Sequence, residues 1–218
     1  MYQKIAKKMC DEIQKSFPLS PKVVTALCAV DREMFVPSVF AHQAYEINAL
    51  PMVDSQWISS PLTVAQMSEY LAPNGGDSVL EIGCGSGYQA MVLSKMFRRV
   101  FSIERIDKLF EEARERFRRL ASHNIFIKLD DGQKGWAEYA PFDAILFSAC
   151  AREIPTIIVN QLEEGGVLVA PMLENGKQII KRFKKHNGIL EGGEILSECL
   201  FVDIQDGIVS ESKNKCVM

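Results

Sequence analysis

The segment Val79-Leu80-Glu81-Ile82-Gly83-Cys84-Gly85-Ser86-Gly87-Tyr88 constrains this chain more than any other ten residues. Its apolar start reads as a buried strand, and its three glycines turn that strand sharply into a helix. Glycine at such a turn accepts left-handed backbone and lets N–H groups approach a ligand where a Cβ would collide. Turns that bind a dinucleotide pyrophosphate carry G-x-G-x-x-G. Here the pattern is acid-x-G-x-G-x-G, with Glu81 before the first glycine. An acid at the mouth of the turn points to a cationic or amine-bearing ligand, which disfavours a nicotinamide oxidoreductase.

Two more strand ends carry acids. Arg98 to Glu104 reads as a second strand, and Glu104 lies where a carboxylate can accept ribose hydroxyls. Ile125 to Leu129 reads as a third, and Asp131 beyond it suits an adenine amino group. A nucleoside carrying a positive head fits all three positions. S-adenosylmethionine, with its amine and sulfonium, is such a ligand.

The flanking pattern sets the fold class. Strands are expected at 78–82, 99–104, 125–129, 142–148 and 166–171, and helices over 87–97, 107–121 and 154–162. This alternation is that of βαβ units on a parallel sheet. After Asn175-Gly176 it gives way to a β-rich run over Gln178 to Lys185. The turns Asn187-Gly188 and Gly192-Gly193 then lead to a strand near Glu198 to Ile204. The expected fold is therefore α/β, a doubly wound, mixed, mostly parallel Rossmann-like sheet with antiparallel C-terminal strands. Ahead of it, Ile5, Met9, Ile13 and Phe17 mark one amphipathic helix, and Ser20-Pro21 opens another. Residues 31–60 read as Pro-punctuated loop, and Pro61 opens a third helix. A chain of 218 residues has room for one such domain. It divides into a helical and loop cap over 1–72, a core over 73–206 and a tail over 207–218.

A formal charge of −3 argues against a nucleic-acid surface, and the basic run Arg114 to Arg119 is interleaved with acid at helical spacing. Six cysteines lack C-x-x-C spacing, and no metal-ligand pattern accompanies His42, His123 or His186. No metal is expected. Lys4, Lys7, Lys8, Asp11 and Glu12 interrupt any apolar leader, so a cytoplasmic protein without membrane attachment is expected. Phe147-Ser148-Ala149-Cys150 at the fourth strand end is small and neutral. The absence of a base there suits an acceptor already anionic at neutral pH, such as a carboxylate, and leaves space for a peptide backbone.

The chain resembles the protein-L-isoaspartate (D-aspartate) O-methyltransferase family from about Arg32 to Asp206. The resemblance rests on Phe35-Val36-Pro37, Ala44-Tyr45, Leu50-Pro51, Gln56-x-Ile58-Ser59-x-Pro61 and Val79 to Gln89. It continues through Asp131-Gly132-x-x-Gly135-Trp136, Ala140-Pro141-Phe142-Asp143, Ile154-Pro155, Gln161-Leu162 and Gly165-Gly166-x-Leu168-Val169. It implies a class I S-adenosylmethionine-dependent enzyme that methylates the free carboxylate of L-isoaspartyl residues, with D-aspartyl residues as a second acceptor class. S-adenosylhomocysteine is the implied product. Damaged peptides and proteins are the implied partners, and a monomer is expected. Ser59 is implied as the active-site serine, a hydrogen-bond donor to the acceptor carboxylate. Gln56, Trp57, Ser59 and Ala149 are the expected acceptor contacts. The expected cofactor set is Ile58, Glu81, Gly83, Cys84, Gly85, Gly87, Glu104, Arg105, Asp131, Gly132 and Ser148.

The chain departs from the family at Ser55 (usually Gly), Trp57 (usually Thr), Glu46 (usually Asp) and Asp130 (usually Gly). Two alternatives therefore stand beside the repair enzyme: the same fold with another acceptor, and a cofactor-binding protein without catalysis. As a structural residue, Ser59 would simply cap the helix that Pro61 opens.

Overall fold

The computed structural model describes residues 2–72 and 74–210. The boundary expected at 73 and the tail from 211 to 218 lie outside the described residues. Helix α1 (Tyr2–Gln14) buries Ala6, Met9, Cys10 and Ile13, while Ile5 stays exposed, so the buried stripe is offset from the expected one. Ser20 caps α2 (Pro21–Cys28), its Oγ accepting from the Val23 N–H. Residues 31–60 are not plain loop. They form short 3₁₀ turns at Arg32–Phe35 and Ser38–Gln43, and a ribbon pairing β1 (Leu50–Pro51) with β2 (Trp57–Ile58) through a tight turn over Val53–Ser55. Helix α3 (Pro61–Leu71) follows.

The main sheet contains β3 (Gly76–Ile82), β4 (Phe97–Glu104), β5 (Ile125–Leu129), β6 (Phe142–Phe147), β7 (Leu162–Glu174), β8 (Lys177–His186) and β9 (Ile189–Glu198). Helices α4 (Tyr88–Leu93), α5 (Asp107–Arg119) and α6 (Thr156–Gln161) connect its parallel part. The strand order is β5-β4-β3-β6-β7-β8-β9, parallel up to β7 and antiparallel through β8 and β9. The chain runs outward from β3 to β4 and β5, then returns to β6 on the other side of β3. The crevice at the carboxyl ends of β3 and β6 is thus the switch point where such sheets bind ligands.

Side chains of successive strand residues point to opposite faces, and helices cover both. Val79, Val100, Ala144, Leu146 and Val169 belong to a core shared with Met9, Ile13, Leu27, Phe35, Val64 and Leu71 of the N-terminal segment. Leu80, Ile82, Phe101, Ile103, Ile145, Phe147 and Leu168 belong to a second core with Trp136 and Ile158. The N-terminal segment therefore packs directly on the sheet that carries the glycine turn.

Several expected bounds are corrected: β7 runs over Leu162–Glu174 and not 166–171, and α6 starts at Thr156 and not at 154. The helix after the glycine turn ends at Leu93 and not at 97, because Phe97 already starts β4. The last strand is Ile189–Glu198 and not Glu198 to Ile204. Asn187-Gly188 makes the hairpin turn with both residues in left-handed backbone. Gly192-Gly193 is a bulge inside β9, where the pairing shifts opposite Arg182 and Phe183. The chain then leaves the sheet edge and crosses the carboxyl ends of the strands. Cys150 N–H donates to the Val202 carbonyl (2.8 Å) and Ile204 N–H to the Cys150 carbonyl (2.8 Å). Val209 N–H donates to the Arg105 carbonyl at 2.8 Å, so the start of the expected tail is docked.

Candidate active site

A cavity of about 830 Å³ opens at the switch point, within the range of about 300–1,000 Å³ usual for small-molecule sites. Gly83, Cys84 and Gly85 line it from the turn, Glu104 and Arg105 from the end of β4, Gly132 from beyond β5, and Ser148 and Ala149 from the end of β6. Gln56, Trp57, Ile58 and Ser59 form the wall that faces them, and Leu200 to Gln205 with Val209 complete it. Most residues expected from the sequence are thus brought together.

The three glycines do different work. Gly85 (φ 54°) has nothing within 4 Å of where its Cβ would be, so its backbone lies open to a ligand. Gly83 (φ 97°) faces Ser148. Gly87 (φ 85°) does not line the cavity, contrary to expectation. A Cβ there would lie 2.6 Å from the Phe117 ring, so this glycine lets α5 pack under the start of α4.

Glu104 is almost fully buried. Its Oε2 accepts from Gly85 N–H (2.7 Å), and its Oε1 accepts from Arg105 N–H and Ile106 N–H (2.9 Å each). A carboxylate offers about four acceptor positions, so one remains after these three bonds. The side chain therefore shapes the glycine turn as well as lining the cavity. Burial pushes its pKa up, although the three N–H donors favour the charged form.

Glu81 does not stand at the mouth of the turn. It is 0 % exposed and lies in the floor, its Oε2 accepting from Ser102 Oγ (2.5 Å) and its Oε1 from Ser148 Oγ (3.4 Å). Burial raises its pKa to about 8, with the two serines offsetting part of that effect. It lines the cavity beside Ser148. Asp131 also differs from expectation, because it does not line the cavity. Its Oδ1 accepts from Gln133 N–H (3.0 Å) and its Oδ2 from Gly207 N–H (2.9 Å). Arg105 completes that anchorage, donating to the carbonyls of Gly207 (3.0 Å) and Asp206 (3.1 Å). Together Asp131 and Arg105 hold the crossing segment over the site. Cys84 is buried, and burial raises its thiol pKa well above the usual value, so it is no nucleophile.

On the facing wall, Ser60 and not Ser59 caps α3. Its Oγ accepts from Thr63 N–H at 3.1 Å. Ser59 thus has no capping duty, and its hydroxyl makes no hydrogen bond among the described residues. Its carbonyl accepts from Arg32 Nη2 at 2.9 Å. Trp57 is 57 % exposed, its ring standing at the rim of the cavity. The ribbon that carries it turns at Asp54 and Ser55, both with φ 56°, closed by Gln56 N–H on the Val53 carbonyl (3.1 Å). Both central residues are left-handed, as in a type I′ hairpin turn.

Sequence reasoning did not single out Arg32 as a site residue, nor Leu200 to Gln205 as a wall. Arg32 sits alone beside Asp31 with no periodic signal, and the crossing segment looked like a strand. Among the described residues, no group of three or more His, Cys, Asp or Glu is placed to hold a metal ion, and no helix is long and apolar enough to cross a membrane.

The profile of the family described as protein-L-isoaspartate(D-aspartate) O-methyltransferase matches residues 3–208. A Helicobacter pylori protein named protein-L-isoaspartate O-methyltransferase is 58 % identical over 200 residues, covering 92 % of this chain and 96 % of its own. A Vibrio cholerae protein of the same name is 43 % identical over 179 residues, covering 82 % and 83 %. A solved structure titled protein-L-isoaspartate O-methyltransferase superposes with a TM-score of 0.82 at 27 % identity, over 95 % of this chain and 67 % of that one. A Plasmodium falciparum structure, titled as a complex with S-adenosyl-L-homocysteine, shares the fold with a TM-score of 0.78 at 22 % identity, over 94 % and 99 %.

Proposed function

The chain belongs to the protein-L-isoaspartate(D-aspartate) O-methyltransferase family, and on that premise we propose how its residues divide the work. The reaction is methyl transfer from S-adenosylmethionine to the free carboxylate of an L-isoaspartyl residue. When bound, the donor supplies an electrophilic methyl on a cationic sulfur and leaves as S-adenosylhomocysteine. The residues present fit such a ligand: an open glycine turn at Gly85, one acceptor position left on Glu104, and a cavity of suitable size. Glu104 accepts a ribose hydroxyl at that position, and the open backbone at Gly85 leaves room for the amino-acid end, since the N–H groups of Gly83, Cys84, Gly85 and Gly87 are bonded within the protein. Asp131 acts through the segment it holds, and Glu81 lines the cavity while accepting from Ser148 Oγ.

The freedom of Ser59 carries the acceptor half of this reading. A serine on the cavity wall with no capping duty is available to donate to one oxygen of the acceptor carboxylate. The other oxygen is then left to attack the methyl in line with the carbon–sulfur bond, without a base. In the methyl ester, the amide nitrogen of the following residue displaces methanol to form a succinimide. Hydrolysis of the succinimide returns normal aspartyl peptide in part. The outward ring of Trp57 lines the path of the peptide and leaves the groove open, which supports the isoaspartyl acceptor over a smaller one. We read the protein as a single domain and a cytoplasmic monomer, and the unpaired cysteine spacing supports the cytoplasmic part of that reading.

The test is Ser59→Ala. Methylation of an isoaspartyl peptide should fall by about 100-fold, the cost of removing one oriented donor from a reacting oxyanion site. Calorimetry should find donor affinity unchanged. Full activity in the variant would remove Ser59 from the acceptor site.

A further inference from the structure

Arg32 is 0 % exposed, and no carboxylate among the described residues pairs with it. Taking a guanidinium out of water is costly unless its charge is met. Here three carbonyls meet it. Nη1 donates to Ala44 (2.5 Å), and Nη2 donates to Ser59 (2.9 Å) and Asn48 (3.4 Å). Its central carbon lies 5.4 Å from the centre of the Tyr88 ring, a cation–π contact. Tyr88 is the first residue of α4, directly after Gly87, and lines the cavity. One side chain therefore touches both the serine wall and the helix that opens from the glycine turn.

A second arginine fixes the turn that bears Arg32. Arg116 donates from Nε to the Met34 carbonyl (2.9 Å) and from Nη1 to the Ser86 carbonyl (2.8 Å). Arg116 thus ties the Arg32–Phe35 turn to the glycine turn, and Arg32, from that same turn, bonds the Ser59 carbonyl.

We infer that Arg32 is a positioning residue for methyl transfer: its buried guanidinium holds the Ser59 backbone against the Tyr88 end of the glycine turn and so sets where the serine hydroxyl meets the acceptor carboxylate. Ser59 lies between β2 and the cap of α3, outside both hydrogen-bond ladders, so its placement depends on such a hold. The planar fork of arginine serves several carbonyls at fixed angles, which a lysine ammonium on a flexible stem does not. This inference rests on the reading of Ser59 as the acceptor-orienting group.

The test is a double-mutant cycle on the full chain, with wild type, Ser59→Ala, Arg32→Met and the double variant. Each is checked for folding by circular dichroism, for kcat and KM on an isoaspartyl peptide, and for S-adenosylmethionine affinity by calorimetry. Arg32→Met should lower kcat/KM by about 100-fold in the wild-type background, the scale of loss from an ångström of misplacement. In the Ser59→Ala background the same change should cost no more than about twofold, the usual error of additivity. Donor affinity should be unchanged throughout. Arg32→Lys, run in the same cycle, should give a smaller loss and replaces Arg32→Met if that variant does not fold. The inference is overturned if the Arg32 loss persists in full without the Ser59 hydroxyl, if donor affinity falls in parallel, or if neither Arg32 variant folds. A Ser59→Ala variant with normal kcat/KM would instead strike down the serine reading itself, and the inference with it.

Discussion

Replacing Glu81 by glutamine should stabilise the ligand-free protein in mild alkali and change little in acid. In the unfolded chain this carboxyl titrates near its ordinary value of 4.5, whereas in the folded protein burial raises it to about 8. Between those values the folded protein keeps a proton that the unfolded chain gives up. The contribution of the protonated side chain is therefore complete below about pH 4.5 and is lost as the pH climbs to about 8. Each pH unit of separation corresponds to about 1.4 kcal/mol, so the full window is worth about 5 kcal/mol. Glutamine keeps the shape and stays neutral, so it avoids the buried anion. Urea unfolding of both proteins from pH 5 to pH 9 isolates the effect, because groups that do not sense the Glu81 charge cancel in the difference; Glu104 and Cys84 are the neighbours that do sense it. The stability gap should widen in favour of the variant up to about pH 8 and then level off. Parallel stability curves over the whole range would refute the assignment of a buried, proton-holding Glu81.

Two further substitutions probe the turn and the ribbon. Glu104→Ala removes the acceptor of three backbone N–H groups as well as the proposed ribose contact. It should weaken S-adenosylmethionine binding by about 1.5–3 kcal/mol or more by calorimetry, and unchanged affinity would remove Glu104 from the site. Ser55→Gly relieves a left-handed residue at φ 56° in the turn that carries Trp57. It should stabilise the ribbon by about 1 kcal/mol, read as slower amide exchange across 50–58, and faster exchange would contradict the turn geometry.

The sheet and its switch point were legible because both signals are local: apolar runs of strand length, and glycines at a fixed spacing. Glu104 was placed at its strand end for the same reason. Glu81 lines the cavity as a buried carboxyl and not as an exposed acid at the mouth of the turn, because strand alternation puts it on the Val79 face, away from Leu80 and Ile82. Asp131 and Gly87 could not be read correctly, since their partners Gly207 and Phe117 lie far along the chain. Gly192-Gly193 carries the same composition in a bulge as in a turn, and only the pairing of Arg182 and Phe183 separates the two. Which of two adjacent serines caps α3 is set by Pro61 at the first helical position, which makes the residue before it, Ser60, the cap and releases Ser59.

The acceptor is the decisive point. The direct measurement is base-labile methyl incorporation from labelled S-adenosylmethionine into a short isoaspartyl peptide, beside its normal aspartyl twin. The predicted result is incorporation into the isoaspartyl peptide alone, followed by loss of the label as methanol and appearance of aspartyl peptide. Equal labelling of the twins, or no labelling while the donor still binds, would contradict it.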